Sequence, residues 1–172
     1  RGCTALTKAP ELPATTLASY CYQYMFSGCT SLEKLVLPNS LTTFNGMWSL
    51  GRNTSLKELT IPKGVTTFTQ SLISGCTNLN DIYYTGTKAE WNAISKYVNT
   101  NAGIRWNDNT PNYIVHCTDG NMCKTCVGGT ATCTELAKCT NCGSGYGSLL
   151  AHSYVANTDA TWERYTTSQH KK

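Results

Sequence analysis

The sequence predicts an α+β chain, mostly β: a solenoid of stacked repeats closed at its C-terminal end by a helix and a strand, followed by a small cysteine-rich module. Three observations predict it. A motif of regularly spaced leucines returns every 23 to 26 residues along the first half, a helix-start signal and a β-patterned run follow the last copy, and six of the ten cysteines crowd between residues 117 and 142. The expected division is residues 1–117 for the repeats with their cap and residues 118–172 for the module.

The repeats come first in the chain. CTALTKAPELP begins at Cys3, CTSLEKLVLP at Cys29, NTSLKELTIP at Asn53 and CTNLNDIYY at Cys76, so successive starts lie 26, 24 and 23 residues apart. Steps of roughly 20 to 29 residues are those of leucine-rich repeats. Within each copy Leu32-x-x-Leu35-x-Leu37 returns as Leu56-x-x-Leu59-x-Ile61 and Leu79-x-x-Ile82-x-Tyr84. Period-2 alternation puts the last two members of each triplet on one face of a short strand. A second apolar pair follows each proline, Leu41 with Phe44 and Val65 with Phe68, which predicts a second wall. One repeat cannot bury these faces alone; stacking does it, at about 1.5–3 kcal/mol per buried large side chain.

The same alternation turns the intervening residues outward. Val36, Thr60 and Tyr83 form one expected column, and Lys34, Glu58 and Asp81 form a charged column beside it. These six are the candidate ligand-binding residues, with Tyr83 as anchor, because solenoids present extended strand surfaces and aromatic residues are enriched at binding hot spots. A merely solvated face on a spacer is the competing reading.

Cys29 has Asn53 as its equivalent one repeat later. A position that accepts either residue asks for a small side chain able to satisfy a polar group in the turn, so Cys29, Cys3 and Cys76 are read as structural. Cys21 stands outside the repeated position. Asn53-Thr54-Ser55 matches a glycosylation acceptor but falls on the inward turn position and is discounted.

FSGCTSLEKLVLPNSLTTF and ISGCTNLNDIYYTGTKAEWNAI resemble the BspA-type leucine-rich repeats of bacterial surface proteins, and PELPATTLASYCYQYMFSGCTSL resembles a variant of that repeat, so the resemblance covers about residues 2–116. One departure is SLGRNTSL, where the usual Gly-Cys becomes Arg52-Asn53, which is expected to loosen one turn. The resemblance implies a secreted or surface-attached protein that adheres to other proteins or cells, with no catalytic residues to carry over.

After the last repeat, Thr87-Lys88-Ala89-Glu90 reads as a capping box. It predicts a helix with Trp91, Ile94, Tyr97 and Val98 on one side, covering the open end of the stack. NYIVHC reads as a closing strand, with His116 a satisfied strand residue rather than a ligand.

From Cys117 leucine becomes sparse, which places a boundary near Thr118 to Asn121. Cys123-x2-Cys126 and Cys139-x2-Cys142, with twelve residues between the pairs, approach zinc-ribbon spacing, and Gly143 suits the tight turn that aims N–H groups at sulfur. Cys133 offers a fifth thiol. The competing reading is a disulfide framework, since an exported chain meets an oxidising environment. A tail of about 50 residues with few large apolar side chains needs one or the other. Gly128 to Gly147, GGTATCTELAKCTNCGSGYG, followed by HSY at His152, resembles a small Cys-rich module of extracellular proteins of anaerobic bacteria, in which the position of Cys126 can be histidine. The resemblance implies Cys126, Cys133, Cys139 and Cys142 as metal ligands, with Cys123 and Cys117 left to pair or stay free, and it implies no activity.

Bulk properties narrow the function further. Charged residues make up 14% of the chain against a typical ~25%, a composition more common outside the cell than in cytosolic enzymes. The net charge of +4 is scattered, so neither a nucleic-acid nor a membrane-surface footprint is expected. No stretch approaches the ~18 apolar residues of a membrane span, and both ends look cut, as in a fragment. No H-E-x-x-H, G-x-S-x-G or phosphate-binding glycine loop occurs, and neither C-x-x-C opens an evident helix of the kind that thiol redox chemistry uses. The expected function is non-catalytic adhesion or protein binding at the bacterial cell surface, with an extracellular or host-surface protein as partner. Zinc in the tail is the one cofactor considered. The alternatives are a stalk or spacer, or an ancillary region of a secreted enzyme.

Overall fold

The computed structural model describes residues 2–13, 24–42, 50–99, 104–105, 107–132 and 134–150. Each leucine triplet makes one strand: β1 (Lys34–Val36), β2 (Glu58–Ile61) and, after the two-residue β3 (Thr67–Phe68), β4 (Asp81–Tyr84). β1, β2 and β4 pair in parallel and in the register of the repeat, Lys34 beside Glu58 beside Asp81 and Val36 beside Thr60 beside Tyr83. Alternation along each strand then decides burial. Leu35, Leu59 and Ile82 are fully buried, as are Leu32, Leu56 and Leu79 at the triplet starts.

The second wall is also present. Leu41, Val65 and Phe68 are buried, and β3 pairs in parallel with β5 (Ser95–Lys96). Phe44 and Cys21, both singled out in the sequence, lie outside the described residues.

The turns that begin each repeat share one backbone shape. Gly2, Gly28 and Gly75 have φ of 68°, 71° and 76°, and Arg52 takes the same left-handed conformation at 62°. Their N–H groups donate across the stack, from Gly2 to Ser27 O at 2.7 Å, Gly28 to Gly51 O at 3.0 Å and Arg52 to Ser74 O at 2.8 Å. The sequence led us to expect a loosened turn at Arg52-Asn53; instead Arg52 keeps the shared turn shape, because its bond to the neighbouring turn holds it in register.

Between β4 and β5 runs α1 (Lys88–Ala93), started by the expected capping box: Thr87 Oγ1 accepts the Glu90 N–H at 3.2 Å, and Glu90 Oε2 accepts the Thr87 N–H at 2.8 Å. The Thr87 N–H, and then the Thr87 hydroxyl 3.2 Å from Oε2, hold the Glu90 carboxyl below its ordinary range. Trp91 is buried edge-on against Phe68 and Tyr84, with ring centroids 5.4 and 5.3 Å away. The helix is shorter than expected. Ile94 is its C-cap and is buried, but Tyr97 and Val98 are exposed and lie beyond it, Val98 in β6 (Val98–Asn99), which pairs antiparallel with β7 (Ile104–Arg105). The reason is competition for the backbone: Ser95 N–H donates to Thr66 O and Tyr97 N–H to Phe68 O, which draws this segment into the second wall.

The predicted closing strand is β8 (Ile114–Cys117), parallel to β4, with Tyr113 and Val115 buried. The sheet then runs one strand further. β9 (Gly120–Cys123) folds back antiparallel on β8, giving the order β1-β2-β4-β8-β9. The expected boundary at Thr118–Asn121 thus falls at this hairpin turn, where Asp119 Oδ1 also accepts the Lys88 N–H at 2.8 Å. Beyond it, β10 (Ala137–Lys138) and β11 (Gly145–Tyr146) make a small antiparallel hairpin. No helix among the described residues is long and apolar enough to cross a membrane.

Candidate ligand face and four-cysteine centre

All six candidate face residues stand where alternation puts them. Val36 is 55% exposed and Tyr83 40%, so the apolar and aromatic members of the column do face outward. In the charged column Lys34 Nζ lies 2.6 Å from Glu58 Oε2, and this hydrogen bond raises the Lys34 pKa. Lys57 pairs with Glu33 at 3.3 Å one row away. Asp81 finds its partner on β8, where His116 Nε2 lies 2.7 Å from Asp81 Oδ1.

His116 is satisfied, as expected of a strand residue, and it also belongs to the face. It is the register partner of Tyr83, and the two rings stack with centroids 4.7 Å apart and planes 15° from parallel. Its Nδ1 lies 3.1 Å from Asn121 Oδ1 on β9. The signal was present in Tyr113-x-Val115, which continues the inward alternation and turns Ile114 and His116 outward into the two columns. Sequence reasoning stopped the columns at the last full triplet and so missed both.

The second site gathers thiols. The Sγ atoms of Cys123, Cys126, Cys139 and Cys142 all lie within 4.8 Å of one another. Cys123 is the hub, 3.4 Å from Cys126, 3.5 Å from Cys139 and 3.4 Å from Cys142. Where the module resemblance left Cys123 to pair or stay free, the structure puts it among the four; Cys133 lies outside the described residues. Local turns build the site. Cys139 follows β10 and Cys142 precedes Gly143, whose φ of 74° lets its N–H donate back to Cys139 O at 2.8 Å. Val127 N–H donates to Cys139 Sγ at 3.4 Å.

The electrostatics are those of a crowded thiol cluster. Burial pushes the Cys139 thiol up, but the N–H groups of Cys142, Val127 and Asn141, with the Cys123 thiol, outweigh it and hold the pKa at about 6. Burial and the surrounding thiols push Cys123 up, and burial first pushes Cys126 up. A tetrahedron of sulfurs at the Zn–S length of about 2.3 Å has edges of about 3.8 Å, so the donor set and its spacing fit a zinc ion. The sulfurs are too far apart to be bonded in pairs, and all eight described cysteines are free thiols.

The family model for a BspA type leucine-rich repeat region matches residues 1–104, in six copies. Among solved structures, the chain is similar to a leucine rich cell surface protein of Faecalibacterium prausnitzii A2-165, at 32% identity over 52% of this chain and 20% of that one, with a TM-score of 0.39. The chain spans about a fifth of that protein's length. No curated protein matches it. The fold-defining leucine triplets and their in-register strands lie within the matched residues, and the chain belongs to the BspA-type leucine-rich-repeat family.

Proposed function

We propose that this chain is a non-catalytic, protein-binding part of a bacterial cell-surface protein, a solenoid whose ligand face is the outward side of its parallel strands. The observation that carries this reading is the register: Val36, Thr60, Tyr83 and His116 fall in one column and Lys34, Glu58 and Asp81 in the next. A rigid, regularly spaced set of side chains on a sheet offers shape and hydrogen-bonding groups without an ordering cost at binding. Family membership supports a surface location and repeats that engage another protein. The partner class is an extracellular or host-surface protein. The test is equilibrium binding of the purified chain to host-cell surface proteins with Lys34→Glu as the probe; unchanged binding on this charge reversal and on truncation of Tyr83 removes the face from consideration.

One observation favours a second reading, a stalk. The polar groups of the face are largely paired among themselves, Lys34 with Glu58 along the charged column and Asp81 with His116 of the neighbouring column, as on a solvated spacer. A stalk predicts no saturable binding at this face.

The four-cysteine centre is proposed to hold zinc as a structural ion. Cys123, Cys126, Cys139 and Cys142 supply four thiolates, which closes the coordination sphere and leaves no position for a substrate.

A further inference from the structure

β9 belongs to two structures at once. Asn121 and Met122 pair with His116 and Val115 of the repeat sheet, while the last residue of the strand, Cys123, is the hub of the sulfur cluster. The segment after it stays fastened to the approach of β8. Lys124 N–H donates to Tyr113 O at 3.2 Å, the Asn112 side chain exchanges two 2.8 Å bonds with the backbone of Thr125, and Lys124 Nζ reaches Thr110 O at 2.9 Å. From the other side, the Ser144 hydroxyl donates to Asn121 O, and Ser144 O accepts the Cys139 N–H at 2.9 Å. Both cysteine pairs therefore grip the same strand.

A stack of parallel strands must end, and an uncovered last strand presents a row of unpaired N–H and C=O groups that invites pairing with other chains. Here β9 covers β8. Yet β9 is four residues long and joined by a tight turn, and only Met122 of its side chains packs on the core. A hairpin arm with so little burial is marginal by itself.

Resting on the reading that the cysteines hold zinc, we propose that the metal centre is the C-terminal cap of the repeat sheet and that, through Asn121 and His116, it sets the Tyr83 end of the ligand face. A soft divalent cation on four thiolates ties Cys123 to three sulfurs from outside the sheet and so fixes β9 on β8. Without it, Asn121 leaves His116, the ring stacked on Tyr83 loses its outer support, and the edge of β8 is bared.

The experiment uses the full chain with one equivalent of zinc, and again after chelation under reducing conditions, with residue-resolved amide hydrogen exchange. Metal removal should lower protection at Lys124 and across β8 and β9 by tenfold or more, while Leu37 and Leu56, bonded nearer the other end of the stack, change by less than about twofold. Cobalt(II) reports binding separately, through the absorption of a tetrahedral thiolate site. If cobalt binds one to one and β8 and β9 keep their protection on chelation, the cap is refuted while the metal reading stands. If cobalt does not bind, the metal reading fails and the cap with it. Cys142→Ser removes a ligand outside β9 and should reproduce the chelated pattern with the repeats still folded; wild-type protection in this variant also refutes the cap.

Discussion

The side-chain oxygen of Asn53 accepts the main-chain N–H of Cys29 at 2.8 Å, and its amide donates to Leu50 O at 2.8 Å, so one buried side chain ties two turns of the stack together. In the next turn Cys76 Sγ donates to the same Leu50 carbonyl at 3.2 Å. The position that accepts cysteine or asparagine is thus a rung of a polar ladder inside the core, and full burial keeps Asn53 from serving as a glycosylation site. Burial also drives the Cys76 thiol up to about 12, which keeps it a neutral donor.

Removing that rung should be costly. Asn53→Ala leaves the Cys29 N–H with only a 3.4 Å bond to Phe26 O, and the expected loss is about 1–3 kcal/mol. Leu35→Ala, which opens a cavity in the stack, should lose about 2–5 kcal/mol. Cys29→Asn copies the neighbouring repeat and should cost clearly less than either. Denaturant melts of the three variants check the order, and equal losses for Leu35→Ala and Cys29→Asn contradict the register.

The repeated left-handed turn supplies a sign test. Arg52 holds a conformation that costs a residue with a Cβ about 1–2 kcal/mol, partly offset because glycine has more unfolded freedom to lose. Arg52→Gly should therefore be neutral or stabilising by up to about 1 kcal/mol, whereas Gly75→Ala at the equivalent position should destabilise by about 1 kcal/mol. A loss in both variants shows that the Arg52 side chain contributes more than the turn shape.

Zinc binding should depend on pH in a stated direction. Thiolates bind the ion, and the Cys123 and Cys126 thiols are pushed up, so at neutral pH zinc must displace at least their two protons. Affinity should rise by about two orders of magnitude per pH unit through the neutral range and weaken as pH falls. Cys139 acts with the opposite shift. Its pKa falls from 9.0 to about 6 on folding, so it favours the folded apo chain fully above pH 9 and loses that contribution as pH falls through 6. Competition titration against a chromophoric chelator at several pH values reads the slope; a pH-independent affinity contradicts thiolate ligation.

Much of this was legible in the chain. The triplets dictated which side chains point inward, because period-2 alternation and stacking leave no other way to hide Leu35, Leu59 and Ile82. The capping box announced α1 because its two bonds involve residues three apart. The helix end was not legible. It depends on Ser95 and Tyr97 finding partners in Thr66 and Phe68, nearly 30 residues earlier, a contact no local pattern displays. For the same reason Cys123 was hard to assign: C-x-x-C spacing brings together the members of a pair, but only the return of β9 along β8 brings the pair beside Cys139 and Cys142.

The central claim is that the outward strand face binds a protein with Tyr83 as its anchor, and the most direct measurement is the affinity of the purified chain for its surface partner with and without that ring. Tyr83→Ala should weaken binding by about 2 kcal/mol or more, roughly thirtyfold, because hot-spot aromatics dominate such interfaces. Its thermal unfolding should barely move, since the ring is exposed and the core residues Ile82 and Tyr84 on either side are untouched. Lys63→Ala, on the exposed turn after β2, should bind as the wild type does. Saturable binding that survives both Tyr83→Ala and Lys34→Glu, or the absence of any saturable binding, would contradict the account.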